Sequence, residues 1–225
     1  MIGVEDFRAM FACIPSKVWF DTPGCPPGFT PVVDRLRTEL DHWQSGDFSW
    51  TDWDSQPDLA REQMATFLGV RSEQVALVDS LSQALSTVLT SFAPGSHVLI
   101  EKDAFRSTIL PVIALGFAMH HPSLGAGDSL TERICEAITP EIDLVVLSTA
   151  TTRTGARPDL TEIANVARSV DARLFVNVTQ TLGALRLDLS EIQPSYIAGH
   201  NYKWMLSLRG CSCLVNLDSN QSSPM

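Results

Sequence analysis

The sequence predicts an α/β fold of three layers, in which helices cover both faces of a mainly parallel sheet. Short apolar runs bounded by turn-forming residues alternate with amphipathic stretches along most of the chain, and this alternation is typical of βα units. A chain of 225 residues, of which 44% are hydrophobic, is long enough to bury the core of one such domain. We expect a main domain at 57–217, an N-terminal segment with a helix at 1–56 and a polar tail at 218–225.

The N-terminal part of the chain is predicted to be less regular than the rest. Three prolines and two glycines within 21–30 indicate an ordered turn. A helix is expected at 31–43. The aromatic stretch at 45–55 is then predicted to be an irregular loop, in which Trp50 and Trp53 pack together or cover a site or a partner.

The main domain is predicted to alternate strands with helices. Runs of apolar and β-branched residues predict strands at 75–78, 98–101, 117–120, 144–148, 174–176, 196–198 and 213–216. Amphipathic stretches of helical period separate them and predict helices at 57–68, 82–92, 107–115, 131–137 and 160–169.

Charge and hydropathy favour small-molecule chemistry in the cytoplasm. A formal charge of −10 and a pI near 4.8 argue against a nucleic-acid partner or an acidic membrane, because both ligands select basic patches. The chain begins with an acidic segment that does not resemble a signal peptide, and its longest apolar run, 109–119, is shorter than a membrane span.

The five cysteines show no disulfide-framework spacing, which suits a reducing compartment. Cys211 and Cys213 alternate along a predicted strand and therefore share a face. Because free cysteine prefers burial, a place in the core is favoured over a role as a metal ligand, and no metal site is predicted.

Two polar features mark the ends of predicted buried strands. The segment 175–183, FVNVTQTLG, places Asn177 at a strand tip, where the side chain either caps the strand or belongs to a site. Lys203, one of three lysines, lies in the segment 199–210, GHNYKWMLSLRG. A partly desolvated lysine amine can form Schiff bases, although a lysine that snorkels from an apolar surface is the alternative.

The spacing of these features resembles that of a known enzyme family. Lys203 follows Asn177 by 26 residues, and Gln180 lies three residues after Asn177. This arrangement is similar to that of the pyridoxal-phosphate (PLP) enzymes of fold type I. The likeness is to the class V aminotransferase group, which includes cysteine desulfurases, kynureninases and isopenicillin-N-epimerase-like proteins.

Other segments match this group in the same order and extend the resemblance over about 18–217. The segment 76–89 resembles the family's phosphate cradle, and this implies phosphate contacts from the backbone N–H groups of Leu81 and Ser82 and from the Ser82 hydroxyl. Ser80 or Ser82 as a simple helix cap is the alternative. The segment 101–111 implies Phe105 as the ring that stacks on the cofactor. The segment 143–168 resembles the substrate-side loop and helix, and 19–29 resembles the opening segment that lines the substrate mouth.

The resemblance implies a cofactor, PLP, and a role for each matching residue. Lys203 would form the Schiff base and move the substrate's α-proton, Asn177 would face the pyridine nitrogen, and Gln180 would contact the phenolic O3′. His200 and Tyr202 would help to hold the phosphate. The implied protein is a cytoplasmic homodimer that acts on a small amino-acid-like substrate, as an aminotransferase or a cysteine desulfurase or C–S lyase.

The sequence departs from the family pattern at two places. Asn177 stands where the family has aspartate, so the Coulomb attraction that favours a protonated pyridine is lost. The family's small C-terminal domain, which supplies an arginine for the substrate carboxylate, is apparently missing, and Arg157 and Arg209 are the nearby basic candidates. The alternative function is therefore a truncated or degenerate homologue with weak or no catalysis that acts as a binding or dimerisation module. A different α/β protein such as a nucleotide-binding domain is the third possibility, but its G-x-G-x-x-G turn is not found.

Overall fold

The computed structural model of this chain describes residues 2–123, 125 and 127–218. Within these residues the chain forms eight α-helices and seven strands. The helices are α1 (Val4–Ala9), α2 (Thr30–Ser45), α3 (Trp50–Leu68), α4 (Leu81–Leu89), α5 (Arg106–Ala114), α6 (Leu130–Ala137), α7 (Leu160–Ser169) and α8 (Leu189–Ile192). The strands are β1 (Val75–Val78), β2 (His97–Ile100), β3 (Ala118–His120), β4 (Leu144–Ser148), β5 (Arg173–Asn177), β6 (Tyr196–His200) and β7 (Ser212–Asn216).

The seven strands form one sheet in the order β1-β7-β6-β5-β4-β2-β3. Neighbouring strands from β3 to β6 are parallel, and β7 runs antiparallel to both β6 and β1. The sheet is therefore mainly parallel, as the sequence predicted. In the register of β4, β5 and β6, Ser148 pairs with Asn177 and Asn177 pairs with Ala198, so these residues share one edge of the sheet.

Helices pack on both faces of the sheet, which confirms the predicted three layers. On one face, α4 and α5 bury residues such as Leu85 and Val112 against Phe175 of β5. On the other face, α3, α6 and α7 bury residues such as Ile134 and Ile163 against the opposite side of the strands. Because side chains alternate along a strand, Asn177 lies on the same face as Phe175, towards α4 and α5.

The chain reverses its direction of travel across the sheet between β2 and β4. The connection from β2 leads through α5 to β3 at the sheet edge, and the chain then returns past β2 to β4, β5 and β6. A crevice forms at such a switch point, outside the carboxyl ends of the two strands. The residues at the carboxyl ends of β2, β4 and β5 are therefore the candidates for a ligand site.

The predicted loop at 45–55 is wrong from Trp50 onwards, because α3 begins there rather than at residue 57. The Ser49 hydroxyl accepts a hydrogen bond from the Asp52 N–H and caps the helix, and this local cap outweighs the presence of Pro57 inside the helix. Helix α3 crosses the boundary expected between residues 56 and 57. The division of the chain into an N-terminal segment, a main domain and a tail stays a prediction. The predicted turn at 21–30 is present up to the start of α2.

The C-terminal cysteines have different environments. Cys213 is fully buried in the core, as predicted. Cys211 is exposed, contrary to the prediction, because β7 begins one residue after it. The described residues contain no cluster of three or more His, Cys, Asp or Glu side chains that could hold a metal ion. Of the tail predicted at 218–225, all but Asp218 lies outside the described residues.

None of the helices in the described part of the chain combines the length and the apolar character that a membrane crossing requires.

Candidate active site

Buried polar side chains gather at the carboxyl ends of β4 and β5. The group comprises Thr108 from α5, Ser148 and Thr149 at the end of β4, and Asn177, Thr179 and Thr181 at the end of β5. Hydroxyl and amide groups are costly to bury unless they find partners. Such a cluster at the ligand-binding edge of an α/β sheet indicates a site rather than ordinary core.

Asn177 is 6% exposed and has a defined amide orientation. Its Oδ1 accepts a hydrogen bond from the Thr179 N–H at 3.0 Å. A backbone N–H can only donate, so this contact assigns the oxygen. The Nδ2 group then faces Thr108 Oγ1 at 3.4 Å and Ser148 Oγ at 3.5 Å. Both distances are long, and Asn177 therefore presents a weakly engaged donor towards α5.

The turn after Asn177 packs directly on β6. The Thr179 hydroxyl accepts the His200 N–H at 3.1 Å. A Cβ at Gly199 would lie 2.9 Å from Val178 Cγ2 and 3.0 Å from the Thr179 nitrogen, so this approach requires glycine. The contact brings the end of β6, and the segment that contains Lys203, next to the Asn177 turn.

Lys203 is half-buried in the segment after β6. Burial lowers the pKa of its amine, and the Arg209 guanidinium lowers this pKa further. Asp21 and Cys25 act in the opposite direction, which places the N-terminal turn within electrostatic reach of the amine. A lysine whose pKa is lowered in this way has more of the neutral, nucleophilic form.

Gln180 joins the N-terminal turn to the Lys203 segment. Its Nε2 donates to the Pro23 carbonyl oxygen at 3.4 Å, and its Oε1 accepts from Trp204 Nε1 at 3.4 Å. Gly183 is also close to this segment: its φ is +93°, and a Cβ there would lie 2.6 Å from the Trp204 carbonyl oxygen. The structure therefore brings Gln180 and Lys203 together through their neighbours.

The rings of His200 and Tyr202 contact each other in a tilted arrangement beside Lys203. Their ring centroids are 5.2 Å apart, and the Arg209 guanidinium carbon lies 5.0 Å from the Tyr202 ring centroid. Burial lowers the pKa of His200, and the charges of Lys203 and Arg209 lower it further. These cations make the surroundings electropositive, as an anion such as a phosphate requires.

The N-terminus of α4 presents backbone N–H donors in its first turn. Ser80 is the helix cap, since its hydroxyl accepts the Gln83 N–H, whereas the Ser82 hydroxyl donates to the Ser107 carbonyl oxygen at 3.0 Å. The N–H groups of Leu81 and Ser82 belong to the first turn, which has no intrahelical acceptors. Leu81 is 1% exposed, so its contribution to a ligand is limited to its backbone.

The other sequence candidates lie further out. Phe105 caps α5 and is 54% exposed. Arg157 lines a cavity of about 720 Å³ on the α6–α7 face together with Thr149 and Thr181. Arg209, in contact with Tyr202, is therefore the arginine near Lys203.

Sequence reasoning missed Glu101, which is 5% exposed at the end of β2. One carboxylate oxygen accepts the Ser148 N–H at 2.6 Å. Burial raises the pKa of Glu101 to about 7, and the bond from Ser148 acts in the opposite direction. An acidic residue directly after an apolar strand was the only available signal, and it is equally typical of an exposed strand end.

The mainly parallel sheet with helices on both faces matches the fold of PLP-dependent transferases. The chain belongs to the aminotransferase class-V family, whose model matches residues 18–219. This family uses pyridoxal phosphate.

The curated relatives are named for different activities. The chain is 25% identical over 222 residues to isopenicillin N epimerase from Amycolatopsis lactamdurans, covering 92% of this chain and 56% of the relative. It is 28% identical over 202 residues to kynureninase from Xanthomonas oryzae pv. oryzae, covering 79% of this chain and 48% of the relative. The chain thus spans about half the length of the curated relatives it matches.

Solved structures share the fold. The apo cysteine desulfurase from Thermococcus onnurineus NA1 has a TM-score of 0.80 at 18% identity, over 96% of this chain and 57% of that one. A variant of C-DES with glycine covalently linked to its PLP cofactor has a TM-score of 0.83 at 22% identity, over 93% of this chain and 59% of that one.

Proposed function

We propose that this chain binds PLP at the carboxyl edge of its sheet and acts on an amino-acid substrate through a Schiff base at Lys203. The reaction class would be that of an aminotransferase or of a cysteine desulfurase or C–S lyase. One observation carries the proposal: a half-buried lysine with a lowered pKa lies beside the Asn177 turn, at the sheet edge. The half-length match to the relatives makes the activity of a whole protein part of this proposal.

The donor set of the site fits the chemical groups of PLP. The first-turn N–H groups of Leu81 and Ser82 suit the phosphate dianion, and His200 and Tyr202 would complete its surroundings. The Asn177 amide would face the ring nitrogen, Gln180 the phenolic oxygen and Phe105 the ring face. When bound, PLP supplies an electron sink for the substrate carbanion.

Lys203 has two tasks in this proposal. Its amine would hold the cofactor aldehyde and then move a proton at the substrate α-carbon. The lowered pKa suits both tasks, because only the neutral amine attacks carbon or accepts a proton. Arg209, the second cation at this position, would offer its guanidinium to the substrate carboxylate.

A second candidate is a homologue that binds the cofactor but turns over weakly, and serves as a binding or dimerisation module. The Asn177 orientation favours it. The group that faces Thr108 and Ser148 is an N–H donor, which would pair with an unprotonated ring nitrogen and would give no charge stabilisation to a protonated one.

The test of cofactor binding uses the three lysines of the chain, Lys17, Lys102 and Lys203. The protein is incubated with PLP, its absorbance spectrum is recorded, and the Schiff base is reduced with borohydride before peptide mapping. We expect one absorption band near the edge of the visible range and one modified peptide, which contains Lys203. Lys203→Ala should abolish the band, and Lys102→Ala, at an exposed position, should retain it.

The two candidates are separated by turnover. A band without α-proton exchange in any amino acid tested would favour the weakly active homologue. No specific band in the wild type, or equal labelling of all three lysines, would contradict PLP binding itself.

A further inference from the structure

Glu101 is a buried acid at the topological switch point that the roles proposed above leave unused. It follows β2, and its carboxylate accepts the backbone N–H of Ser148 at the end of β4. Among the described residues classed as buried, Glu101 is the one with an ionisable carboxyl. A carboxyl group that is buried without a cationic partner is expensive to ionise. The burial of Glu101 at the ligand-binding edge of the sheet therefore points to a function there.

Ser148 connects Glu101 to the Asn177 position. Its N–H binds Glu101 at 2.6 Å, and its hydroxyl lies 3.5 Å from Asn177 Nδ2. Ser148, on β4, thus contacts both side chains, which lie at the ends of the strands on either side of it. In a site of low dielectric, charges act more strongly than in water.

The other groups around Glu101 leave its charge uncompensated. The next two residues, Lys102 and Asp103, are exposed, and Asp103 pairs with Arg153 at 3.2 Å. From the β3 side, His121 Nδ1 lies 2.8 Å from the Ile100 carbonyl oxygen. Within the described residues, no charged group contributes to the shift in the Glu101 pKa.

We infer that Glu101 is a positioning residue that sets the charge of this site: its carboxyl, bound to the Ser148 N–H, acts across Ser148 on the ring held at Asn177. This inference rests on the proposed binding of PLP. Asn177 contributes an amide and no charge, so we assign the ionisable charge near the ring to Glu101, two strands away across β4. The pKa of Glu101, raised to about 7 by burial, makes that state sensitive near neutral pH.

The inference is tested by titrating the carboxyl itself. Protein labelled with carbon-13 at the glutamate carboxyls is titrated by NMR, without PLP and with PLP bound, and the Glu101 signal is identified by its loss in Glu101→Gln. We expect PLP to move the midpoint of the Glu101 titration by at least about 0.5 pH unit, as a nearby charge does. By linkage, PLP affinity should vary with pH through this group.

Matched variants complete the test. Glu101→Gln should remove that part of the pH dependence of PLP affinity, and Asp103→Asn, two residues away and exposed, should retain it. Glu101→Asp keeps an acid at this position and should keep a pH-dependent affinity, with circular dichroism as the check on folding.

The outcomes distinguish the inference from the proposed function. If PLP gives the absorption band of a Schiff base but the midpoint of the Glu101 titration is the same with and without PLP, the inference is overturned and PLP binding stands. If no band forms in the wild type, the proposed function fails first. A pH dependence of PLP affinity in Glu101→Gln that equals that of the wild type would also overturn the inference.

Discussion

At the scale of single residues, the site is governed by how each polar group is satisfied. Asn177 Oδ1 accepts the Thr179 N–H, so its amide N–H group faces Thr108 and Ser148. Burial and the charge of Arg209 lower the pKa of Lys203. These two facts favour a site that binds an aldehyde cofactor readily and stabilises charge on its ring weakly.

Asn177→Asp should strengthen catalysis without loss of folding. The new carboxylate would accept the Thr179 N–H, and the hydroxyls of Thr108 and Ser148 can rotate to donate to it. An anion beside the ring favours the protonated pyridine, and we expect at least about tenfold faster α-proton exchange in deuterated water, measured by NMR. Asn201→Asp, after β6, serves as the control. An unchanged rate in Asn177→Asp would mean that the amide does not limit the chemistry.

Glu101 should also make stability depend on pH. Its pKa is raised in the folded state to about 7 from 4.5, so the folded protein holds this proton more tightly than the unfolded chain. The stabilisation is present at low pH and is lost as the pH rises through about 7. Between about pH 5.5 and about pH 8.5, the wild type should lose about 2 kcal/mol of unfolding free energy relative to Glu101→Gln.

Urea unfolding of both proteins at the two pH values measures this difference, and contributions from other groups cancel in the comparison. Asp103→Asn should follow the wild type. If the unfolding free energies of the wild type and Glu101→Gln change equally between the two pH values, the carboxyl is not held in its neutral form.

At the scale of elements, glycines set how closely the turn after β5 approaches the Lys203 segment. Gly199 allows the Thr179 nitrogen to approach β6, and Gly183 allows contact with the Trp204 carbonyl. Leu206 has a φ of +59°, an uncommon conformation for a non-glycine residue. Backbone conformations of this kind are found at functional sites, which agrees with the place of this segment next to Lys203.

Gly183→Ala should be more destabilising than Gly155→Ala. Both glycines have a positive φ, but the added methyl at Gly155 meets nothing within 4 Å, whereas at Gly183 it lies 2.6 Å from a backbone oxygen. The conformational strain is shared, at about 1 kcal/mol. The steric contact should add about 1 to 3 kcal/mol at Gly183 only. Urea unfolding followed by tryptophan fluorescence checks this, and equal losses would contradict the close contact.

At the scale of the whole molecule, the chain combines a high negative charge with exposed aromatic side chains. Phe48, Trp50 and Trp53 contact one another at the start of α3, and we call them the α3 aromatic patch. They are 36%, 68% and 40% exposed. Contiguous exposed apolar surface is typical of interaction sites, so we propose this patch as the contact surface of the homodimer that the family resemblance implies.

Sedimentation equilibrium should therefore show a dimer of the wild-type chain. Trp50→Glu places a charge in the α3 aromatic patch and should shift the population towards monomer by at least about tenfold in dissociation constant. Ile113→Glu changes an equally apolar side chain, 55% exposed on α5, and should leave the dimer intact. A wild-type monomer, or equal effects of the two substitutions, would contradict a dimer through this patch.

Most of the fold could be predicted from short segments of the sequence, because the hydrophobic periodicity of a strand or a helix lies within the residues that form it. The runs that became β1 and β4 were predicted with the same bounds as in the structure. The start of α3 was missed because an N-cap serine before an aromatic stretch is a weaker signal than a proline. The family resemblance brought Asn177, Gln180 and Lys203 together, since their spacing along the chain is a linear property.

The environment of the site could not be read in this way, because burial and electrostatic contact depend on which strands lie side by side. The order β5-β4-β2 places Glu101 against Ser148, 47 positions away in the chain. The same packing turns the Asn177 donor towards α5 and sets Arg209, rather than Arg157, beside Lys203. Residue types and their spacing thus predict the family, whereas the packing of distant segments determines the burial and the charged neighbours of each residue in the candidate site.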